Sequence, residues 1–435
     1  GLIEDLVARS LFPETRISSE NINGYDLVLE HRRVGVPTYP FEWSPEMLRA
    51  AGLCLARVND VCMEHGFELK DAHPYNIVFD GVAPMFVDFG SIQSRARVKR
   101  DDWSAADEFE RTFRYPLYFY SKGAHSFFHN AFLSPGKGFG HSDYLVFRRP
   151  WLRLLPAKIF RFWVRALEAY NRFACLDFDK IGGKWPGWKR SIFKFLQSLK
   201  TIPIIRQTSA RMGKRLSRLE LKHDSTWGQY HEDAGFLGGV DKFGKDKRFQ
   251  YVLDLIEKAK PLIVTELAGN QGILAEHIAK LEFVEKVICC DYDEQAIDSV
   301  FLRCRRQSIP LEPLVLDFML PRCTALTERV ESRTRGDLVI ALAVTHHLTL
   351  SQGYGFDSVF RAIARYTNRH AIVEFMPLGL WDGNYSPPLP DWYNEESFRK
   401  GLSPHFRVLE KLNVQSNRIV YFLDKTSPAE REHPA

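Results

Sequence analysis

The sequence predicts an α/β protein: an open, mainly parallel sheet built by residues 226–425, preceded by a small α+β region (1–95) and a helical, basic, aromatic-rich connecting region (96–225). Three observations predict it. Apolar runs alternate with helical patterns along the C-terminal half, the mark of a parallel sheet. The first run feeds a tight small-residue turn, Ala268-Gly269-Asn270-Gln271-Gly272, with a helix beginning at Ile273. A chain of 435 residues with 45% hydrophobic and 13% aromatic residues is long and apolar enough for two or three cores.

In the first region, Tyr25–His31 reads as a strand and Pro45–His65 as a helix, and Asn76–Phe79 with Met85–Asp88 reads as a short hairpin. The connecting region is punctuated by Pro135–Gly140, Gly182–Gly183 and Pro186–Gly187. In the C-terminal region the strands are Pro261–Leu267, Val284–Cys290, Glu312–Leu316, Asp337–Val344 and His370–Phe375. The run Asp357–Tyr366 is a helix between the last two. Phe406–Val414 and Arg418–Asp424, joined by Gln415–Asn417, form a closing hairpin. Residues 426–435 are polar and predicted to fray.

Composition excludes several classes. No stretch approaches 18 uncharged apolar residues, so no spanning helix is expected. Residues 1–20 carry Glu4, Asp5, Arg9, Glu14 and Arg16 and lack a signal-peptide core. Seven cysteines are scattered without C-x-x-C spacing, which predicts reduced thiols in a cytoplasm and no structural metal. Charge is uneven. Between Arg148 and Arg218 stand 18 Lys/Arg against three acids, Glu168, Asp177 and Asp179, interleaved with aromatics such as Trp151, Phe162, Trp163 and Trp188. Three readings compete: an interfacial helix on an anionic membrane, a nucleic-acid surface, and an amphipathic packing helix with solvated cations.

The chemistry gathers at the strand ends. Glu266 precedes the turn Ala268–Gly272, Asp291 and Tyr292 end the second strand, and Asp317 ends the third. An acid at the end of the second strand is placed to bind ribose hydroxyls. His346 and His347 follow the fourth strand, at the carboxyl edge where open sheets bind ligands, and histidine is the base best matched to neutral pH. His347 is favoured, with Leu348 turning inward beyond it. Glu374, an acid inside the fifth apolar run, is a second candidate base, or else buried and hydrogen-bonded. Trp227-Gly228-Gln229-Tyr230-His231-Glu232 stands upstream, where aromatics either cover a ligand or pack the first helix.

Taken together, residues 226–425 resemble class I S-adenosylmethionine-dependent methyltransferases. Glu266 and Gly272 match the family's acid and last glycine, Asp291 its ribose-binding acid and Asp317 the residue beside adenine, while Ala268 and Asn270 replace its other loop glycines. The resemblance implies a seven-stranded Rossmann-like sheet with a reversed final hairpin, and S-adenosylmethionine as cofactor held by Glu266, Ala268, Gly269, Asn270, Gly272, Asp291, Tyr292 and Asp317. A dinucleotide-binding domain shares the strand–turn–helix, but the closing hairpin and Asp317 favour the methyl donor.

Residues 69–91 resemble the catalytic and metal loops of protein and aminoglycoside kinases. Asp71 to Asn76 has the D-x-x-x-x-N interval, and Asp88-Phe89-Gly90 gives D-F-G. No lysine occurs in residues 1–69, so the reading is a truncated, pseudokinase-like region; a helix–hairpin unit with satisfied aspartates is the alternative. The blocks Lys70–Asn76 and Pro84–Ser91, the Glu266–Gly272 loop and the run Ala341–His347 together resemble the NoeA-type nodulation methyltransferases. That resemblance implies a methyltransferase associated with bacterial glycan or signal-molecule tailoring, and the expectation is O-methylation of a glycan, glycolipid or related acceptor; the charge and aromatics of residues 148–218 predict recruitment at an anionic membrane's inner face. A bifunctional kinase–methyltransferase and an RNA methyltransferase are the alternatives.

Overall fold

Seven strands form the largest sheet, and their residues alternate between two apolar layers. The structure is a computed structural model that describes residues 1–95, 103–133, 138–148, 156, 159, 162, 187–188, 208–221, 225, 227–228, 246–381 and 384–426. The 13 strands are numbered in chain order. The large sheet comprises β7 (Ile263–Leu267), β8 (Lys286–Asp291), β9 (Glu312–Val315), β10 (Gly336–Ala341), β11 (Thr367–Phe375), β12 (Phe406–Gln415) and β13 (Arg418–Lys425).

Its strand order is β12-β13-β11-β10-β7-β8-β9. The pairs from β11 through β10, β7 and β8 to β9 are parallel, while β13 runs antiparallel to both β11 and β12. The reversed closing hairpin expected from sequence is therefore present. The chain enters the sheet at its middle, and the order of strand addition switches sides between β7 and β10, the point at which open sheets bind ligands beyond the carboxyl ends of the strands.

The register shows why these strands read as continuous apolar runs. Leu338, Ile340, Ile372 and Val420 face one layer, with Val252, Ile256, Leu274 and Val300 from the helices Lys247–Ala259, Ile273–Ile278 and Glu294–Gln307. Val339, Ala341, Val373 and Tyr421 face the other, with Phe360, Ile363 and Phe398 from the helices Phe356–Tyr366 and Glu395–Leu402. Helices cover both faces, so both positions of the two-residue repeat must be apolar.

Two compact units divide the chain. One contains Gly1–Arg33, Leu48–Val78 and Pro84–Lys222; the other contains Val34–Met47, Phe79–Ala83 and His223–Ala435. The division after Lys222 lies near the sequence boundary at 225. The N-terminal part does not stay whole as a 1–95 region, because 34–47 and 79–83 join the sheet unit. There Val36 enters the core, Arg333 donates to the Pro37 carbonyl and pairs with the buried Glu42, and the Glu46 N–H donates to Asp298 at 2.9 Å. This segment packs at edge strand β9, whose Glu312 is buried and accepts backbone hydrogen bonds from Gly81 and Val36. Covering an edge in this way blocks pairing with foreign strands.

In the first unit, β1 (Thr15–Ile17) pairs antiparallel with β2 (Leu29–His31), shorter than the strand expected from Tyr25. Tyr25 and Leu27 are exposed and have no face to bury. The helix Pro45–Glu64 packs against Ser209–Ser217 at Gly52, where a Cβ would come within 2.6 Å of Leu216. β3 (Phe67–Leu69) pairs antiparallel with β6 (Ile92–Ser94), and β4 (Ile77–Asp80) with β5 (Ala83–Phe86) forms the expected hairpin. Most of the basic segment 148–218 and all of the tail 427–435 lie outside the described residues. Among the described residues no helix is long and apolar enough to cross a membrane.

Candidate active site

The turn after β7 takes its shape from three left-handed residues. Ala268, Asn270 and Gly272 have φ of 55°, 49° and 67°. Left-handed backbone costs an alanine roughly 1–2 kcal/mol, is easier for asparagine and is free for glycine. Gly269 fits because a Cβ there would lie 2.8 Å from Cys289 Sγ and 2.9 Å from Glu266 Oε2.

The two acids flanking this turn hold it. Asp291, at the end of β8, accepts the Asn270 N–H at 2.8 Å and the Asp293 N–H at 2.9 Å. Each carboxylate oxygen retains a second lone pair for a hydroxyl. Burial pushes Asp291 up to about 6, with the backbone donors opposing. Glu266 accepts the Ala275 N–H at 3.2 Å. Burial first, and the neighbouring Asp291 next, push Glu266 up to about 8. Asp293 caps the following helix by accepting from Gln295 and Ala296. Tyr292 stands exposed beside Asp291, and exposed Asp317 accepts the Met319 and Leu320 N–H groups at 3.0 and 3.1 Å.

On the neighbouring strand end, β10 leads through Ala343 (φ 49°) to a π-helical turn, His347–Ser351. His346 is buried, its Nδ1 has no partner, and burial pushes its pKa down to about 3. His347 is half-buried and also lowered by burial. The two imidazoles lie 4.0 Å apart, and the Trp227 ring meets His347 edge-on at 4.9 Å. Leu348 is buried beyond them.

Glu374 is not open to a substrate. It is fully buried, accepts the Ala343 N–H and an Arg418 N–H, both at 2.8 Å, and has Arg248 3.7 Å away. A carboxylate so engaged fastens the turn that carries the histidines, which corrects its reading as a candidate base. Sequence reading missed Arg248 and Arg418, whose partner is 126 and 44 positions away. The geometry thus brings Glu266, Ala268, Gly269, Asn270, Gly272, Asp291 and Tyr292 to one strand-end cluster, with His347 reached through Trp227.

Strand order, turn and acids together match the layout expected of a class I S-adenosylmethionine-dependent methyltransferase domain. Over 428 residues the chain is 26% identical to Nodulation protein NoeA of Rhizobium meliloti (strain 1021), covering 92% of this chain and 82% of that one. The chain is similar to NoeA along most of its length. No protein-family model matches it. Among solved structures it is similar to a S-adenosylmethionine-dependent methyltransferase from Clostridium acetobutylicum ATCC 824, with TM-score 0.35, 12% identity, and 46% of this chain and 99% of that one covered. It is also similar to N-methyltransferase NodS from Bradyrhizobium japonicum WM9, with TM-score 0.32, 12% identity, and coverage of 43% and 99%. The left-handed turn, the Gly269 contact and the Asp291 carboxylate fit S-adenosylmethionine, the cofactor that the sequence resemblance implies.

In the first unit the three kinase-like residues sit on two joined loops. The Val87 N–H donates to the Asn76 carbonyl at 2.9 Å, and the Asp71 N–H donates to Ser91 Oγ at 3.1 Å. Glu108 accepts the Ala72 N–H at 2.6 Å, and Trp103 Nε1 donates to the Leu69 carbonyl at 2.8 Å. Asp71 and Asp88 are half-buried, and Asn76 is buried.

Proposed function

We propose that this protein methylates an oxygen of a glycan, glycolipid or related small acceptor, with His347 as the base. The observation that carries the reading is the half-buried His347, held neutral by burial at the end of β10, next to the strand that bears the donor turn. S-adenosylmethionine supplies an activated methyl group when bound. The chain's own work is then positioning and proton handling. Asp291 and the turn 268–272 hold the donor's polar groups, Tyr292 covers it, and His347 accepts the acceptor's hydroxyl proton on an imidazole nitrogen. His346, neutral and buried, backs His347.

The glycan-type acceptor is what the resemblance to NoeA-type nodulation proteins implies, and the similarity to NoeA spans the chain beyond the C-terminal domain. The 18 cations between Arg148 and Arg218 support recruitment of that acceptor at an anionic membrane surface. The reading is tested by incubating the full chain with methyl-labelled S-adenosylmethionine and separate glycolipid, soluble glycan and RNA fractions. Label in the glycolipid or glycan fraction, lost in His347→Ala, supports it; label only in RNA replaces it with the RNA alternative.

The joined loops Asp71–Asn76 and Asp88–Ser91 favour a second element of the reading, a pseudokinase-like module that presents the acceptor. Magnesium-dependent ATP turnover abolished by Asp88→Ala would instead make the protein bifunctional.

A further inference from the structure

Asn270 stands where the methyltransferase family places a loop glycine, and its side chain is not idle. Its Nδ2 donates to the Trp227 carbonyl at 2.9 Å, while its Oδ1 accepts the Gln271 N–H at 2.8 Å. Asparagine is among the residues that tolerate φ near +50°, so the turn survives the exchange. Trp227 also meets two further groups. Its indole N–H, the only donor on that side chain, hydrogen-bonds the Tyr292 hydroxyl, and its ring lies edge-on to His347 at 4.9 Å. One residue therefore touches the donor turn, the residue beside the ribose acid and the candidate base.

Neighbours of Trp227 fix it in place. The Ser225 N–H donates to Gln295 Oε1 at 2.7 Å, and Ser225 Oγ donates to Asp293 Oδ1 at 2.9 Å. The Gly228 N–H donates back to Ser225 Oγ at 2.9 Å. A Cβ on Gly228 would lie 2.4 Å from Gln295 Oε1, so the glycine permits this approach. Both Asp293 and Gln295 belong to the start of the helix after β8, where Asp293 is the cap. The tether is built from residues 225–228 at one end and 270 at the other.

We propose that Trp227 is a positioning residue of the methyl-transfer site: tethered by Asn270, it fixes Tyr292 and His347 relative to the donor turn, so that donor binding and orientation of the base are coupled. This inference rests on the methyltransferase reading and adds the coupling to it. Without the tether the His347 imidazole would gain water on the face the indole now covers, and Tyr292 would lose its donor.

The test uses the full chain with histidine Cε1 labelling, and His347→Gln to assign the His347 resonance. S-adenosylhomocysteine is the binding probe. In Trp227→Ala, His347 should titrate closer to its ordinary value, as desolvation is relieved. Its affinity for the probe should fall about tenfold. Trp227→Phe should keep the His347 titration, because a ring remains, yet weaken probe binding through the lost indole N–H. Asn270→Gly decides the matter should Trp227→Ala fail to fold. It restores the family's glycine and frees the turn of side-chain cost, so a merely structural tether predicts no change at His347. The proposal expects its titration to shift as in Trp227→Ala. Unchanged His347 titration in Asn270→Gly overturns it. Absence of probe binding by the unmodified chain would instead count against the methyltransferase reading, while the titration arm still judges the tether.

Discussion

The backbone N–H of Asn270 lies 2.8 Å from Oδ2 of Asp291, so the donor turn after β7 hangs on the acid that ends β8. The Asp293 N–H occupies the other oxygen. Asp291 therefore holds the turn's shape, beside the ribose role proposed for it. Replacing it with alanine leaves two buried N–H groups without acceptors, each costing about 1–3 kcal/mol. Asp291→Ala should weaken S-adenosylmethionine by about 1–3 kcal/mol in calorimetry and also lower the Tm. Unchanged affinity would remove Asp291 from the donor site.

Ala268 offers the opposite test. Its φ of 55° is strained for an alanine, whose methyl packs at the margin of one apolar layer. Ala268→Gly relieves that strain but adds freedom to the unfolded chain, which costs part of the gain. A net stabilisation of about 0.5–1 kcal/mol in denaturant melts is expected, with donor binding kept. Gly269→Ala should do the reverse, since its Cβ would press on Cys289 and Glu266. Destabilisation by Ala268→Gly would show that the left-handed geometry is not used in solution.

These residues also show what the sequence made legible. The β7, β8, β10 and β11 strands announced themselves because helices cover both faces, so every position is apolar. The donor turn was legible because a strand, small residues and a helix follow in order. Glu374 was ambiguous from local pattern alone. Its fate depended on Arg418 in β13 and Arg248 in the helix before β7, contacts that no short window contains. The same holds for Val34–Met47, whose place in the sheet unit rests on Glu42 with Arg333 and Glu46 with Asp298. Asn270 looked like a weakened glycine match, and only the partner 43 positions earlier gives it a role.

Glu266 predicts a pH signature. Burial raises it from 4.5 to about 8, so the folded chain holds a proton that the unfolded chain releases. Its contribution to stability is full below pH 4.5 and is lost as pH rises through about 8. Histidines lowered by burial act oppositely below their ordinary value, so the comparison must be with Glu266→Gln, which removes this one slope. The unmodified chain should lose stability relative to Glu266→Gln between those two pH values. A sulfonium nearby favours the ionised carboxylate, so S-adenosylmethionine should release more protons on binding near pH 7 than S-adenosylhomocysteine, which lacks that charge. Calorimetry in buffers of different ionisation heat measures it; equal release by both ligands would place Glu266 away from the sulfonium.

His347 and Glu374 should part company under mutation. His347→Ala should reduce methyl transfer about 10²–10⁴-fold, the range for a general base, with S-adenosylhomocysteine still bound. Glu374→Gln leaves Arg418 and Arg248 with a neutral partner in a buried site, so its main effect should be on stability, about 3–5 kcal/mol for a broken buried pair. A Glu374→Gln chain that melts normally but transfers no methyl group would restore Glu374 as a base.

The charge of the basic segment is the ground for the proposed anionic surface. Its 18 Lys/Arg against three acids between Arg148 and Arg218 exceed what solubility needs, and Trp and Phe are interspersed among them. Cations near an anionic bilayer contribute roughly 1 kcal/mol each, and inserted aromatics add to that. The described part of the segment includes the helix Ser209–Ser217, which buries Met212 and Leu216 and leaves Arg211 and Lys214 exposed. One face of such a helix is thus already committed to packing, and four or five cations elsewhere suffice for binding. Co-sedimentation with vesicles should show binding to anionic but not neutral lipid, reduced at high salt because screening shortens the reach of each charge. Glutamine at four of the cations Lys158, Arg161, Arg165, Lys189, Arg190 and Lys194 should weaken it further. Negligible binding to both vesicle types would leave the acceptor soluble, and tighter binding to single-stranded RNA than to anionic vesicles would move the acceptor to nucleic acid.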